Sequence, residues 1–502
     1  MKQALLFFIS LLFSLRISSQ PGVRLIKFYD LPPHYGSYSY DVTTTDFGYI
    51  LSGIIIDTAN GYGYNRLTLM AVDSLGDSLW TKSYGSSAFQ YVRPYTGKWM
   101  TKKDNNLYLS CPVVKPGDTM TSVLIKFNIN GDTVWQKEYS DIQYQLAFEN
   151  FKLTPDKGFI FTGYVTGGGN RSLMLLKADS LGNELWRKKI NTGTIEIDGR
   201  GVVYDSINKK YVIAGYQSPS PSYDPRSLVI VTDSVGNKLN QFSFSGPQGG
   251  EHYSLIQSYD NNFIACGVSS TGIPISSFTK VRAQTIKFDI SGNVIWSKEY
   301  GVPAFINSLT VLKELPDRSI VAGGEYDTVY NSGLGLNSSF ILRKMNQNGD
   351  SLWIRTIDLT KNNGNQDVFT GMDITHDGGF VLTGYTSIDT SLNRYELVKL
   401  DSLGCDSIGC QFTGIDEQKI AEQLNVYPNP TSGDVTITIT NSVKQIKQIS
   451  VYDIVGKELE RIINFNKSSN ISINIESFGK GTFLLKMVLD DNSFSTQKIV
   501  TY

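Results

Sequence analysis

Histidine is nearly absent from this 502-residue chain, with three copies, and cysteine is scarce, with four. So little imidazole and thiol excludes a His-based catalytic set or a Cys-rich zinc module, and no metal is expected. Charge of either sign is also missing in excess: 46 Lys and Arg face 47 Asp and Glu. Without a basic surplus or a long run of like charge, nothing grips a phosphate backbone, so nucleic acid is not expected as a partner. Beyond the N-terminus no run reaches the ~18 apolar residues of a membrane span. What is abundant is Tyr (28), Phe (25) and Gly (46), a mixture suited to short strands joined by tight turns. The class expected is all-β, and the length exceeds the ~250–300 residues at which one core stops growing.

The N-terminus reads as an address. Lys2 precedes an apolar run from Ala4 to Leu15, and Ser18-Ser19 supplies small residues before Gln20. Twelve residues at ~1.5 Å rise reach about 18 Å, short of a ~30 Å hydrocarbon core, so residues 1–19 are expected to be a signal peptide. Export permits disulfides. Cys405 and Cys410 are close enough in sequence to form a clip, whereas Cys111 and Cys266 lie in apolar strands and are expected to be buried free thiols.

One turn recurs at intervals of about 55 residues, which decides the architecture. It opens as Asp73-Ser-Leu-Gly-Asp-Ser-Leu-Trp80 and returns from Asn128, Asp179, Asp233, Asp289, Asn346 and Asp401. A second turn recurs out of phase, from Asp46, Asp104, Asp156, Asn208, Asp260, Asp317 and Asp377. Each unit resolves into a meander of strands A to D. In the third, these are Ala147 to Leu153, Phe159 to Tyr164, Leu173 to Ala178 and Glu184 to Ile190. The glycine fourth in the C–D turn suits a type I turn followed by a left-handed residue. Strand D is missing after Asp401, while Leu25-Ile-Lys27-Phe-Tyr29 matches the Lys-x-Tyr spacing of Trp80-Thr-Lys82-Ser-Tyr84. A ring is locked if the first strand completes the last sheet; an open solenoid has no use for the exchange. The expectation is a seven-bladed β-propeller over residues 20–410, closed by residues 24–30.

Five Trp fall at one position of strand D, and Gly occupies six of seven equivalent positions of strand B (53, 163, 215, 267, 324 and 384, with Cys111 in the other). Both are expected to be scaffold: blade-to-blade packing for the rings, and room for a neighbouring ring or backbone at the glycines. The blades resemble the propeller repeats of pyrroloquinoline-quinone enzymes, as in Lys177-Ala-Asp179 to Gly182 and Trp186. That resemblance covers the blades and no site, since the turn is one residue shorter, the repeats are seven, and the adjacent Cys pair is lacking. No cofactor is expected.

After a polar linker at 411–423 the pattern changes to period-two strands, indicating a small β-sandwich of immunoglobulin-like size over 424–502. Its landmarks are Tyr427-Pro428-Asn429-Pro430 with Gly433, the Val-Tyr-Asp-x-x-Gly456-Lys turn, Gly481-Thr-Phe, and the terminal Lys498-Ile-Val. These residues resemble the type A C-terminal sorting domain of the type IX secretion system. The resemblance implies passage through the periplasm, recognition by the secretion machinery, and a destination outside the cell or on its surface.

In a meander the short A–B and C–D turns share one face, and the longer B–C and D–A loops share the other, where function is expected. Those loops carry Tyr62, Tyr64, Tyr223, Arg226 and Tyr330 among Gly, Ser, Asn and Pro, a composition that offers rigid contact area at low entropic cost. They are the expected ligand-binding residues of a monomeric binding or adhesion module for an extracellular glycan, peptide or protein. The alternative is a lyase, hydrolase or oxidoreductase with a site at the central channel; the marks of converging charge there would favour it. No catalytic residue can be named, because His34, His252 and His376 each stand apart and no nucleophile elbow or metalloprotease motif is present.

Overall fold

The computed structural model describes residues 24–406 and 424–502, less 32–33, 59–62, 87–88, 94–98, 116, 118, 168, 195, 220–224, 245–249, 271–280, 301–306, 330–335, 360–366, 389–391, 440–444, 454–457, 464–469 and 490–493. The signal segment, Tyr62, Tyr223, Tyr330, Cys410 and Gly456 therefore lie outside the described residues. The chain divides into two compact units, Met1–Gln411 and Phe412–Tyr502.

In the first unit the described strands form seven antiparallel sheets, each built on a four-strand meander. The third runs Gln145–Leu153, Phe159–Gly167, Asn170–Ala178 and Glu184–Ile190, two to three residues longer than the sequence indicates where strands A to C approach the loop side. Strand A of each sheet packs on the sheet before it, and His34–Thr45 of the first packs on the seventh, so the blades close a ring. The seventh sheet takes Leu25–Tyr29 as its outer strand, with Leu25 opposite Lys399 and Tyr29 opposite Tyr395. This is the propeller with N-terminal strand closure.

The C–D turn is built the same way seven times. Asp73 Oδ1 accepts the N–H groups of Leu75 and Asp77 at 2.9 and 2.8 Å, and Gly76 adopts φ +78°. Asp or Asn is needed for the acceptor and Gly for the left-handed backbone. Strand D of each blade then lies over the next blade's turn. A Cβ added at Gly131, Gly236, Gly349 or Gly404 would stand 2.6–2.8 Å from the ring of Trp80, Trp186, Trp296 or Trp353 respectively. Lys137 Nζ reaches Asn183 at 2.9 Å and Tyr139 Oη donates to the Gly182 carbonyl at 2.8 Å, completing a three-point clasp. Where Asn240 replaces Trp, Phe242 covers Gly292 instead.

The strand B glycines make room for backbone of their own blade and, at two positions, for a ring of the adjoining blade: a Cβ at Gly53 would stand 2.2 Å from the Tyr395 hydroxyl and one at Gly384 2.5 Å from the Phe340 ring. Each faces a β-bulge in strand A, and a Cβ at Gly163, Gly215 or Gly267 would stand 1.9–2.1 Å from the carbonyl oxygen of Ala147, Asp198 or Glu251. In the second blade, where Cys111 holds this position, strand A is interrupted: Gln90–Tyr91 and Met100–Lys103 pair separately with Asn106–Lys115. Cys111 and Cys266 are buried free thiols, and Cys405 is buried as well.

The second unit has seven described strands in two sheets. Leu424–Tyr427, Asp434–Ile439 and Asn470–Asn474 form one; Ile446–Tyr452, Glu458–Ile463, Gly481–Leu489 and Phe494–Thr501 form the other. Val435, Ile437, Ile449, Val451, Leu485 and Ile499 are fully buried in their shared core.

Candidate functional site at the inner ring

A bulge inserts one residue and re-aims its side chain. Six blades carry one at the same level of strand A, and the inserted residues are Tyr40, Glu149, Arg200, Tyr253, Thr310 and Thr370. Several reach the next blade. Thr370 Oγ1 donates to the Ser39 carbonyl at 2.9 Å, Tyr40 meets Trp99 edge-on at 5.1 Å, and Arg200 pairs with Glu251. Strand A runs from the D–A loop toward the A–B turn, so residues before the bulge, late in strand B or early in strand C lie toward the loop face.

Two clusters form there. Between the third and fifth blades, the Arg200 guanidinium lies 4.6 Å from the Tyr216 ring centre and 5.1 Å from that of Tyr253. Asp198 stands 3.7 Å from Arg200 and 3.9 Å from Arg171, whose guanidinium donates to Tyr216 Oη at 3.1 Å and covers Tyr164. Burial drives the Asp198 carboxyl pKa upward, with the two guanidinium groups opposing it. Four charges converge, but Asp198, Arg200 and Glu251 are 0–4% exposed and form the wall. A catalytic acid or base has to be reached by substrate; these are shielded from it.

Across the ring the first and seventh blades contribute an aromatic group, with Arg93 of the second and Glu325 of the sixth beside it. Tyr38 meets Tyr385 edge-on at 4.9 Å, Tyr40 meets it at 6.1 Å, and exposed Arg93 donates to Tyr385 Oη at 3.4 Å. Glu325 sits nearby, its carboxyl pushed up to about 8 by burial and then by Asp327, with Arg93 opposing. Glu396 is fully buried, and burial followed by Asp367 raises its pKa well above the carboxylate range, with Thr386 opposing. His252 is buried beside Phe244, and desolvation lowers it to about 4.

Of the expected ligand residues, Tyr64 and Arg226 are described, and they are not brought together. Tyr64, opening strand C of the first blade, donates to Asp57 Oδ2 at 3.2 Å, an oxygen shared with Arg66 at 3.0 Å. Arg226 is exposed at the start of strand C in the fourth blade. Neither the bulge ring nor the Tyr38, Tyr40, Tyr385 and Arg93 group was read from sequence. The available signal was the strand B glycine, which marks the bulge opposite it. A channel cavity of about 790 Å³ lies at the other end, among Asn150, Lys152, Gln257, Thr310 and Lys313, on the tight-turn side where function was not expected. Among the described residues no group of three or more His, Cys, Asp or Glu could hold a metal ion.

In the second unit, distant landmarks meet. The Asn429 side chain donates to the Lys498 carbonyl at 2.7 Å and accepts from Val500 N–H at 3.0 Å. Thr431 N–H donates to the Val500 carbonyl at 2.9 Å, and Tyr502 N–H to the Thr431 carbonyl at 3.1 Å. Gly433 passes close to Glu476, whose Cβ would stand 3.2 Å from an added Cβ. Gly481 has open space, with nothing nearer than 3.9 Å.

Residues 425–502 match the family described as the secretion system C-terminal sorting domain. That domain indicates export to the cell surface or secretion, and with it interaction with the secretion machinery. Among the described residues no helix is long and apolar enough to cross a membrane. No curated protein sequence matches the chain. Among solved structures, Sqt1 from Chaetomium thermophilum is 10% identical with a TM-score of 0.40, covering 75% of this chain and 97% of its own. The WD40 domain of SCAP from fission yeast is 10% identical at TM-score 0.35, covering 76% and 99%. A GH43_1 enzyme from Xanthomonas citri is 11% identical at 0.30, covering 56% and 96%. No activity follows from likeness at this distance.

Proposed function

We propose that the propeller is a recognition module for an extracellular glycan, peptide or protein, with its contact surface at the loop-side mouth of the channel. One observation carries this: exposed Arg93 donates to the Tyr385 hydroxyl at the edge of an aromatic group of Tyr38, Tyr40 and Tyr385 drawn from two blades. Stacked rings with a cation at their edge give a ligand both apolar faces and a charged hydrogen-bond donor. Tyr62, Tyr64, Tyr223, Arg226 and Tyr330 belong to the surrounding rim in this reading. The protein works as a monomer, enters the export route by the 1–19 signal peptide, and carries a Cys405–Cys410 clip after the last blade. The enzyme reading is favoured by the convergence of Arg171, Asp198, Arg200 and Glu251, but the shielding of three of them sets it second.

The test is glycan-array and peptide-library binding by the purified exported protein, repeated with Arg93→Ala and with Tyr62, Tyr64, Tyr223 and Arg226 changed to Ala. A loss of about tenfold or more in affinity for each set is expected of contact residues. Undiminished binding by both variants removes the assignment of the mouth, and turnover of an arrayed glycan or peptide would replace the binding reading with the enzyme one.

A further inference from the structure

The Tyr-Pro-Asn-Pro segment and the final Lys-Ile-Val-Thr-Tyr segment are separated by about seventy residues of sequence, yet they form one structural unit. Asn429 supplies a carbonyl and an amide that bracket residues 498 and 500 as a neighbouring strand would. Thr431 continues the pairing through a parallel bridge to Thr501, and Thr501 Oγ1 donates to the Gly479 carbonyl at 2.7 Å. The last residues of the terminal strand are thus held on both sides, by Gly481–Leu484 and by the turn.

This arrangement leaves several apolar side chains in water. Tyr427 is 53% exposed and Tyr502 68%, and Pro428, Asn429, Pro430 and Lys498 are exposed with them. Two rings and two prolines with one cation are costly to leave in water and suited to burial against a partner. The domain matches one that is recognised during export, which identifies the partner as the reader in the secretion machinery.

We propose that the export signal is this composite surface, formed by the Tyr427–Pro430 turn and the Lys498–Tyr502 end together, with Asn429 as the positioning residue that aligns them. The reader it fits presents an apolar groove with a carboxylate opposite Lys498. Neither segment alone carries the signal.

The experiment follows full-length protein in a bacterium that carries the secretion system, measuring the fraction outside the outer membrane. A Tyr427→Ala, Lys498→Ala, Tyr502→Ala triple variant changes only exposed side chains, so its thermal melting should match the parent while its external fraction falls by about tenfold or more. Asn429→Ala is expected to lower export similarly, and Asn429→Gln to restore it little, because one added methylene shifts the paired amide. Glu460→Ala, on the strand at the other edge of the same sheet, is the control and should export normally. Normal export of the triple variant overturns the proposal, whatever Asn429→Ala does. Should Asn429→Ala be exported normally while the triple variant is not, the positioning role is withdrawn.

Discussion

Tyr29 Oη donates to the Gly76 carbonyl at 2.7 Å, joining the first strand to a turn 47 residues further on. Lys27 Nζ reaches Asp77 at 3.1 Å beside it, and the Lys27 and Leu25 side chains cover the Gly76 Cα. The N-terminal strand therefore does two things: it completes the seventh sheet and it clasps the first blade, as Trp80, Lys82 and Tyr84 clasp the second. Tyr29→Phe should cost about 1 kcal/mol, the net worth of one partly buried hydrogen bond. Urea unfolding followed by intrinsic fluorescence checks this; an unchanged midpoint means the clasp adds nothing to the sheet pairing.

Gly215 and Gly481 make a matched pair for the steric argument. An alanine Cβ at Gly215 would lie 1.9 Å from the Asp198 carbonyl oxygen, and one at Gly481 no nearer than 3.9 Å to anything. Gly215→Ala should therefore force the bulge apart and lower the propeller's melting temperature by several degrees, or abolish soluble protein. Gly481→Ala should leave the melting profile of its own domain within about 0.5 kcal/mol. Equal tolerance at the two sites would show that the bulge is not fixed by the glycine.

Removing one member of the Arg200–Glu251 pair leaves the other charge in the wall. Arg200→Leu is expected to destabilise by about 3–5 kcal/mol, whereas Arg200→Leu with Glu251→Leu should recover much of that loss. Calorimetry on both variants decides, and a double variant no better than the single would mean that Arg200 works through Asp198 and the tyrosines instead.

Two buried groups push the pH dependence in opposite directions. Glu325 binds its proton more tightly in the folded state, at about 8 against an ordinary 4.5, so its contribution is present below pH 4.5 and lost as pH rises toward 8. His252 is depressed from 6.5 to about 4, so the folded state holds fewer protons there and stability is lost as pH falls through that window. Melting temperature should thus peak on the weakly acid side of neutrality. Glu325→Gln should flatten the alkaline limb and His252→Leu the acid limb. An alkaline limb unchanged in Glu325→Gln would assign it to Asp198 or Glu396.

The repeat was open to reading because its demands are local. Asp73 must accept two N–H groups and Gly76 must be left-handed, so both residue types recur wherever the turn does. Leu25-x-Lys27-x-Tyr29 could be matched to a missing strand for the same reason, since each of its side chains has a fixed task on the next turn. The clusters at the mouth obey no such rule. Tyr40, Arg200 and Thr370 occupy one bulge position in three blades but differ in type, because each answers to its neighbour on the adjoining blade. Tyr64 was singled out by composition, and composition does not reveal that its hydroxyl is committed to Asp57. In the second unit the landmarks were legible one by one, while the pairing of Asn429 with residues 498 and 500 needed the fold.

Leu25–Tyr29 runs antiparallel to Leu392–Leu400, and Arg24 forms an ion pair with Asp401 at the start of the last C–D turn. Tension on the polypeptide beyond Asp401 draws one strand by its far end while the other is anchored through Tyr29 to the first blade. Such a pull slides the two strands lengthwise and must strain all five residue pairs at once, where a peeling load would part them singly. Tension applied beyond the last blade is therefore met as shear along the closing joint of the ring.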